Sequence, residues 1–137
     1  MTQTLSKEAC LKAAQELLAR REANHRGDRL PADCRPSNLD DALAIQAATV
    51  EASGKKIAGW KCLVPLNPDQ IIVGPVLEGT VQQGAECLVK VTEPGKTLIE
   101  PEIAFVLGAD LPARETAYTE AEIDAAIGST HMALELL

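Results

Sequence analysis

The stretch Ile99-Glu100-Pro101-Glu102-Ile103-Ala104-Phe105-Val106-Leu107 places two carboxylates, two residues apart, inside an apolar run. Residues i and i+2 of a strand point to the same face, so an extended chain sets Glu100 and Glu102 side by side, roughly 6.5–7 Å apart at Cα. Two like charges on a half-buried face repel each other and lose hydration, and a cation between them offsets both costs. The stretch therefore predicts a β-strand that carries part of a divalent-metal site.

A third carboxylate has the same local setting near the end of the sequence. Glu135 lies between Leu134 and Leu136, which point to the opposite face of an extended strand. If this strand lies beside residues 99–107, three carboxylates meet, and oxygen ligands of this kind suit Mg²⁺ or Mn²⁺. The predicted metal ligands are Glu100, Glu102 and Glu135. A solvated strand face without any ligand is the alternative that the alternation leaves open.

Two amphipathic helices are predicted before the first strand. Ser6 fits the N-cap of the first, while Ser37 or Asn38 begins the second, which ends near Gly54. The positions expected on their apolar faces are Cys10, Ala14, Leu17 and Leu18 in the first helix and Leu39, Leu43, Ala47 and Val50 in the second.

The remainder of the chain is predicted to be mostly β. A helix is also expected after Thr119, because Thr119 and Glu122 match the capping-box pattern. The predicted fold class is therefore α+β, with two N-terminal helices packed on a mostly β body. The domain interpretation is a helical layer over residues 1–56 and a β-rich part over residues 57–137 of a single, truncated catalytic domain. The predicted strands are Ile57–Val64, Ile71–Leu77, Cys87–Val91, Leu98–Leu107 and Met132–Leu137.

Composition restricts the classes of function. Of 137 residues, 20 are acidic and 13 basic, and a net charge of −7 argues against a nucleic-acid partner. No apolar run approaches 18 residues, so neither a membrane span nor a secretory leader is expected. The four cysteines form no C-x-x-C pair, which favours free thiols in a reducing cytoplasm. Aromatic residues make up only 2%, so Trp60 is expected to anchor the core.

Four ordered motifs carry a resemblance to a known family. They are Gly59-Trp60-Lys61, Gly74-Pro75, the run from Glu100 to Gly108, and His131-Met132-Ala133-Leu134-Glu135. Together they resemble the 2-keto-4-pentenoate hydratase family, which includes 2-oxohept-3-enedioate hydratase and 4-oxalocrotonate decarboxylase. That family belongs to the fumarylacetoacetate hydrolase superfamily, and the resemblance covers the N-terminal half of a typical member. It implies the first half of a fumarylacetoacetate-hydrolase-like fold.

The resemblance also implies a chemistry. Glu100, Glu102 and Glu135 match the three metal ligands of the family, and Lys61 matches a lysine beside the substrate, which we interpret as catalytic. The family metal is Mg²⁺ or Mn²⁺, chelated by a short 2-oxo acid. In the hydratases a 2-hydroxy-2,4-dienoate becomes an enone, and water then adds to the far carbon of the conjugated system. His131 shares the strand parity of Glu135, and we assign it a supporting position.

Alternatives to a hydratase remain open. Residues 62–65 read Cys-Leu-Val-Pro where many hydratases have Val-Gly-Leu-Thr, so a decarboxylase of the 4-oxalocrotonate type is the closest rival. A different class is an inactive fragment or a non-catalytic partner subunit of such an enzyme. The expected partners are the 2-oxo acid and either further copies of this chain or a related subunit.

Overall fold

The structure is a computed structural model that describes residues 4–64, 71–91 and 93–136. These residues form three helices and two antiparallel sheets of two strands each, which confirms the predicted mixed α+β class. By its internal contacts the chain divides into two units, Met1–Thr92 and Glu93–Leu137. The elements are α1 (Lys7–Glu22), α2 (Leu39–Ser53), β1 (Ile57–Cys62), β2 (Val73–Leu77), β3 (Ile99–Leu107), α3 (Glu120–Ala126) and β4 (Ile127–Leu136).

The ends of the helices confirm the capping predictions. The hydroxyl of Ser6 accepts a hydrogen bond from the backbone N–H of Ala9, and the side chain of Asn38 accepts one from Asp41 at 2.8 Å. Gly54 ends α2 with φ of 64°, a left-handed conformation that glycine adopts without a Cβ clash. In the described part of the chain, no helix combines the length and the apolar character needed to cross a membrane.

The buried face of α2 differs from the predicted one. Leu39 and Leu43 are 42% and 40% exposed, whereas Asp41 and Ile45 are buried. The prediction was wrong because it counted apolar residues alone, and the polar contacts of Asp41 turn a different face inward. In α1, Cys10 and Ala14 are buried as predicted, together with Ala13. The main core cluster joins both helices to the segment between them and contains Cys10, Ala13, Cys34 and Ile45.

The carboxylate of Asp41 joins three parts of the first unit. It accepts hydrogen bonds from the backbone N–H groups of Leu5 (2.9 Å) and Ser37 (3.1 Å), from the Ser37 hydroxyl (2.9 Å) and from the Asn38 amide (3.1 Å). These donors, first the N–H of Leu5 and then that of Ser37, hold the pKa of the Asp41 carboxyl below its usual value. A buried charge is tolerated here because four donors replace its water.

We predict that Asp41→Asn lowers the midpoint of urea unfolding at pH 7, because the new amide turns donors toward the N–H groups that now bond to the carboxylate. The folded-state pKa of Asp41 is lowered, so its contribution is complete above the unfolded-state pKa and is lost as pH falls through the folded-state value. The difference between variant and native protein should therefore narrow between pH 7 and pH 3. Asp40→Asn, an exposed change in the same helical turn, is the control. Equal midpoints at pH 7 for the native protein and Asp41→Asn would contradict the assignment.

In the first unit, β1 and β2 form an antiparallel ribbon that contacts α2. Trp60 pairs with Pro75 and Lys61 with Gly74, while the Gln46 side chain donates to the carbonyl of Val73 at 3.0 Å. Trp60 is 55% exposed and lines a groove between the ribbon and α2. Its predicted role as a core anchor was therefore wrong, since the core lies among small residues of the two helices.

The predicted strand Cys87–Val91 is also wrong. These residues have no strand assignment, and both backbone hydrogen-bonding groups of Leu88 bond to the side chain of Gln82, at 2.9 and 2.6 Å. The carbonyl of Val91 accepts from the Asn24 amide. Side chains therefore take the hydrogen bonds that a neighbouring strand would supply.

In the second unit, β3 and β4 pair along their length, and α3 precedes β4. The predicted capping box of Thr119 and Glu122 is present. Glu122 also accepts two hydrogen bonds of 2.8 Å from Arg114, whose guanidinium lies 3.7 Å from the centroid of the Tyr118 ring. Arg114, followed by the N–H of Thr119, lowers the pKa of Glu122 to about 2. The predicted terminal strand is confirmed through Leu136, and Leu137 lies outside the described residues.

Candidate metal centre

The register of β3 against β4 brings the three predicted ligands to one face. Glu100 lies directly opposite Glu135, and Glu102 lies opposite Ala133 in the next pair on that face. Directly opposite residues of an antiparallel pair share a face, as do residues i and i+2. Glu100, Glu102 and Glu135 therefore project from the same side of the ribbon.

The three carboxylates are close enough to share a small cation. One oxygen from each lies within 4.8 Å of the others; Glu100 is exposed, and Glu102 and Glu135 are half-buried. Oxygens bound to one Mg²⁺ lie at most about 4.2 Å apart, because each bond is about 2.1 Å long. Oxygens within 4.8 Å of one another are therefore near the spacing that one such ion requires. Three carboxylate oxygens on an accessible face fit Mg²⁺ or Mn²⁺ with positions left for water or substrate.

Backbone features near both ends of β3 support this register. Pro101 has no N–H to donate, which suits a ribbon in which only alternate residues bond to the partner strand. At the other end Gly108 and Gly128 approach so closely that a Cβ on Gly128 would lie 3.0 Å from the backbone N of Gly108. The N–H of Gly108 donates to the carbonyl of Ala126 at 2.8 Å. This contact admits no larger residue without a backbone shift.

The opposite face of the same ribbon is apolar. Its side chains include Phe105 and Met132, which are 58% and 81% exposed. The ten described positions of this face carry no charged residue, and all acidic residues of the two strands lie on the other side. This separation of the two faces explains why the glutamates interrupt an otherwise aliphatic sequence. The residues of the apolar face are Ile99, Pro101, Ile103, Phe105, Leu107, Ile127, Thr130, Met132, Leu134 and Leu136.

The acidic face continues beyond the glutamates with small side chains and an imidazole. Ala104 lies opposite His131, and Ser129 follows in the next pair on that face. The Ser129 hydroxyl and Nε2 of His131 are 2.8 Å apart. Sequence reasoning gave His131 a supporting position and overlooked Ser129. The sequence did indicate the position of Ser129, because residues 129, 131, 133 and 135 of one strand point to the same face.

Lys61, the predicted catalytic residue, lies on β1 of the first unit. Its side chain is half-buried, and it faces Gly74 across the ribbon. The ribbon thus places the Gly59-Trp60-Lys61 motif against the Gly74-Pro75 motif. The second ribbon, formed by β3 and β4, places the motif that begins at Glu100 against the motif that ends at Glu135. Four separated motifs form two antiparallel pairs.

Comparison with known proteins adds no relative. No family model, curated protein or solved structure matches this chain.

We predict that Glu102→Gln weakens Mn²⁺ binding at least tenfold, on the order of 1.4 kcal/mol or more, because one anionic ligand is replaced by a neutral amide. Isothermal titration calorimetry with MnCl₂ measures the effect directly. Glu115→Gln makes the same charge change at an exposed position in the same unit and should leave the affinity within about twofold. If Glu102→Gln binds Mn²⁺ as tightly as the native protein does, Glu102 is not a metal ligand.

Proposed function

We propose that this protein is a Mg²⁺- or Mn²⁺-dependent hydro-lyase. In this proposal it adds water to a 2-hydroxy-2,4-dienoate, the enol form of a short 2-oxo acid, during catabolism of aromatic ring-cleavage products. The observation that carries the metal dependence is the convergence of Glu100, Glu102 and Glu135 on one face. Support for the hydratase class comes from the motif resemblance.

The donor set supports a hard dication in preference to a softer transition metal. Only carboxylate oxygens converge in the cluster, and no sulfur or imidazole is among its ligand atoms. When bound, a dication of this kind acts as a Lewis acid toward the 2-oxygen of a chelating 2-oxo acid. Glu100, Glu102 and Glu135 would hold that ion and leave part of its coordination shell to the substrate.

Lys61 is the residue that we assign to proton transfer. Its side chain is half-buried on β1, and a lysine amine is a group that exchanges protons with substrates in acid–base catalysis. Pairing of the ammonium with the substrate carboxylate is the alternative role.

The proposal extends to fold, assembly and compartment. We propose that the chain adopts the first half of a fumarylacetoacetate-hydrolase-like fold and associates with further copies of itself or with a related subunit. The exposed apolar face of the second ribbon favours association. We also propose a reducing, cytoplasmic compartment, which fits the four free cysteines Cys10, Cys34, Cys62 and Cys87.

A product assay tests the activity. The protein is incubated with MnCl₂ and the five-carbon 2-hydroxy-2,4-dienoate, and NMR should detect a 4-hydroxy-2-oxo acid whose formation stops in excess EDTA. Release of CO₂ from 4-oxalocrotonate, without hydration of the dienoate, would favour the decarboxylase instead. Mn²⁺ binding with no turnover of either compound would favour a non-catalytic subunit. Formation of the hydrated product at an unchanged rate in EDTA would refute the metal dependence.

We predict that Lys61→Met slows hydration at least tenfold while Mn²⁺ affinity stays within about threefold, because the variant removes a proton-transfer group and no ligand. Turnover and calorimetry on the same preparation separate the two effects. Lys55→Met, an exposed change just before β1, is the matched control. Equal losses of turnover and metal affinity would show that Lys61 supports the structure instead.

A further inference from the structure

We propose that His131 is the base that activates the attacking water, and that Ser129 orients its ring. This inference rests on the proposed hydratase function and identifies a catalytic group for it on the acidic face. The register of β3 and β4, the small side chains between His131 and the glutamates, and the hydrogen bond to Ser129 support it.

The distance along the ribbon suits a water between His131 and the substrate. Successive pairs on one face of an antiparallel ribbon lie ~6.8 Å apart, so the Ala104–His131 pair is one step beyond Glu102 and two steps beyond Glu100 and Glu135. The centre of the three carboxylates therefore lies roughly 11 Å from the His131 pair. A 2-oxo acid anchored at that centre by its first two carbons has its fourth carbon roughly 5 Å further along. One water and its hydrogen bond to the imidazole cover roughly the remaining 6 Å.

The face between the glutamates and His131 has room for a substrate. The acidic face between the glutamates and His131 carries Ala133 and Ala104, which stand only a methyl group above the sheet. A short carbon chain therefore passes over these positions without meeting a large side chain. His131 itself is exposed, so water has access to its ring.

The hydrogen bond to Ser129 orients the imidazole. The Nε2 atom of His131 lies 2.8 Å from the Ser129 hydroxyl, which is able to accept from Nε2 or to donate to it. The proposed step uses the tautomer with the proton on Nε2, in which Nε2 donates to the hydroxyl and Nδ1 keeps its lone pair as the acceptor. Ser129 is thus a positioning residue, and Nδ1 of His131 is the atom that takes the proton in this step.

The resulting step is balanced in atoms and electrons. The water oxygen forms a bond to the fourth carbon of the enone as Nδ1 takes one water proton. The electrons of the C3–C4 double bond shift to form a C2–C3 double bond, and the C2–O π pair moves to the 2-oxygen. The enolate then collapses, and its third carbon takes the proton back from the imidazolium. The sum is one water added across C3 and C4.

Two variants of His131 test this assignment. In the full chain with MnCl₂, His131→Ala and His131→Gln should slow hydration of the five-carbon 2-hydroxy-2,4-dienoate at least 100-fold, the lower range for loss of an acid–base group. Mn²⁺ affinity should stay within about twofold, and ultraviolet spectra should still show conversion of the dienol to the enone. Imidazole added to the buffer should restore part of the turnover of His131→Ala.

The control is Thr130→Ala, because Thr130 is the chain neighbour that faces the other side and pairs with Phe105. It should leave hydration within about twofold. Hydration by His131→Gln within threefold of the native rate would overturn the assignment, as would a parallel loss of Mn²⁺ affinity. Failure of the native protein to bind Mn²⁺ or to hydrate the substrate would instead refute the proposed function, and that result precedes any variant.

Discussion

Backbone pairing between β3 and β4 positions the three carboxylates and His131 on one face. The pairs Glu100–Glu135 and Glu102–Ala133 depend on one register, and side chains alternate faces at each residue. A slip of one residue would send Glu135 to the apolar side and leave Glu100 and Glu102 without their third partner. The close contact of Gly108 with Gly128 lies past an irregularity between Val106 and Leu107, where the register shifts. The site is therefore a property of strand pairing more than of any single side chain.

In both ribbons, antiparallel pairing brings together residues that are separated in the sequence. In the first, Lys61 meets Gly74 across the strands, and in the second Glu100 meets Glu135. The paired residues are 13 positions apart in the first ribbon (61 and 74) and 35 apart in the second (100 and 135).

Local features were predictable from the sequence, and features that depend on distant partners were less so. The caps at Ser6, Asn38 and Thr119 follow from interactions within four residues, and all three are present. Strand parity placed Glu100 and Glu102 on one face, but only the pairing itself could place Glu135 there. The prediction of the buried face of α2 was wrong because Asp41 accepts a hydrogen bond from Leu5, 36 residues away in the sequence. The strand predicted at Cys87–Val91 was wrong for a similar reason. Its apolar pattern does not reveal that the Gln82 side chain bonds to the backbone N–H and carbonyl of Leu88.

The long connection between β3 and β4 has a consequence for how the hairpin folds. Residues 108–126 separate the two strands, and the entropic cost of closing a flexible loop rises with its length. Arg114 shortens the effective loop, because its contacts with Tyr118 and Glu122 form among near neighbours in sequence. Such local contacts are able to form before distant strands meet, which reduces the search that strand association requires. We therefore expect a cluster with no part in metal binding to favour the strand pairing that brings the three carboxylates together.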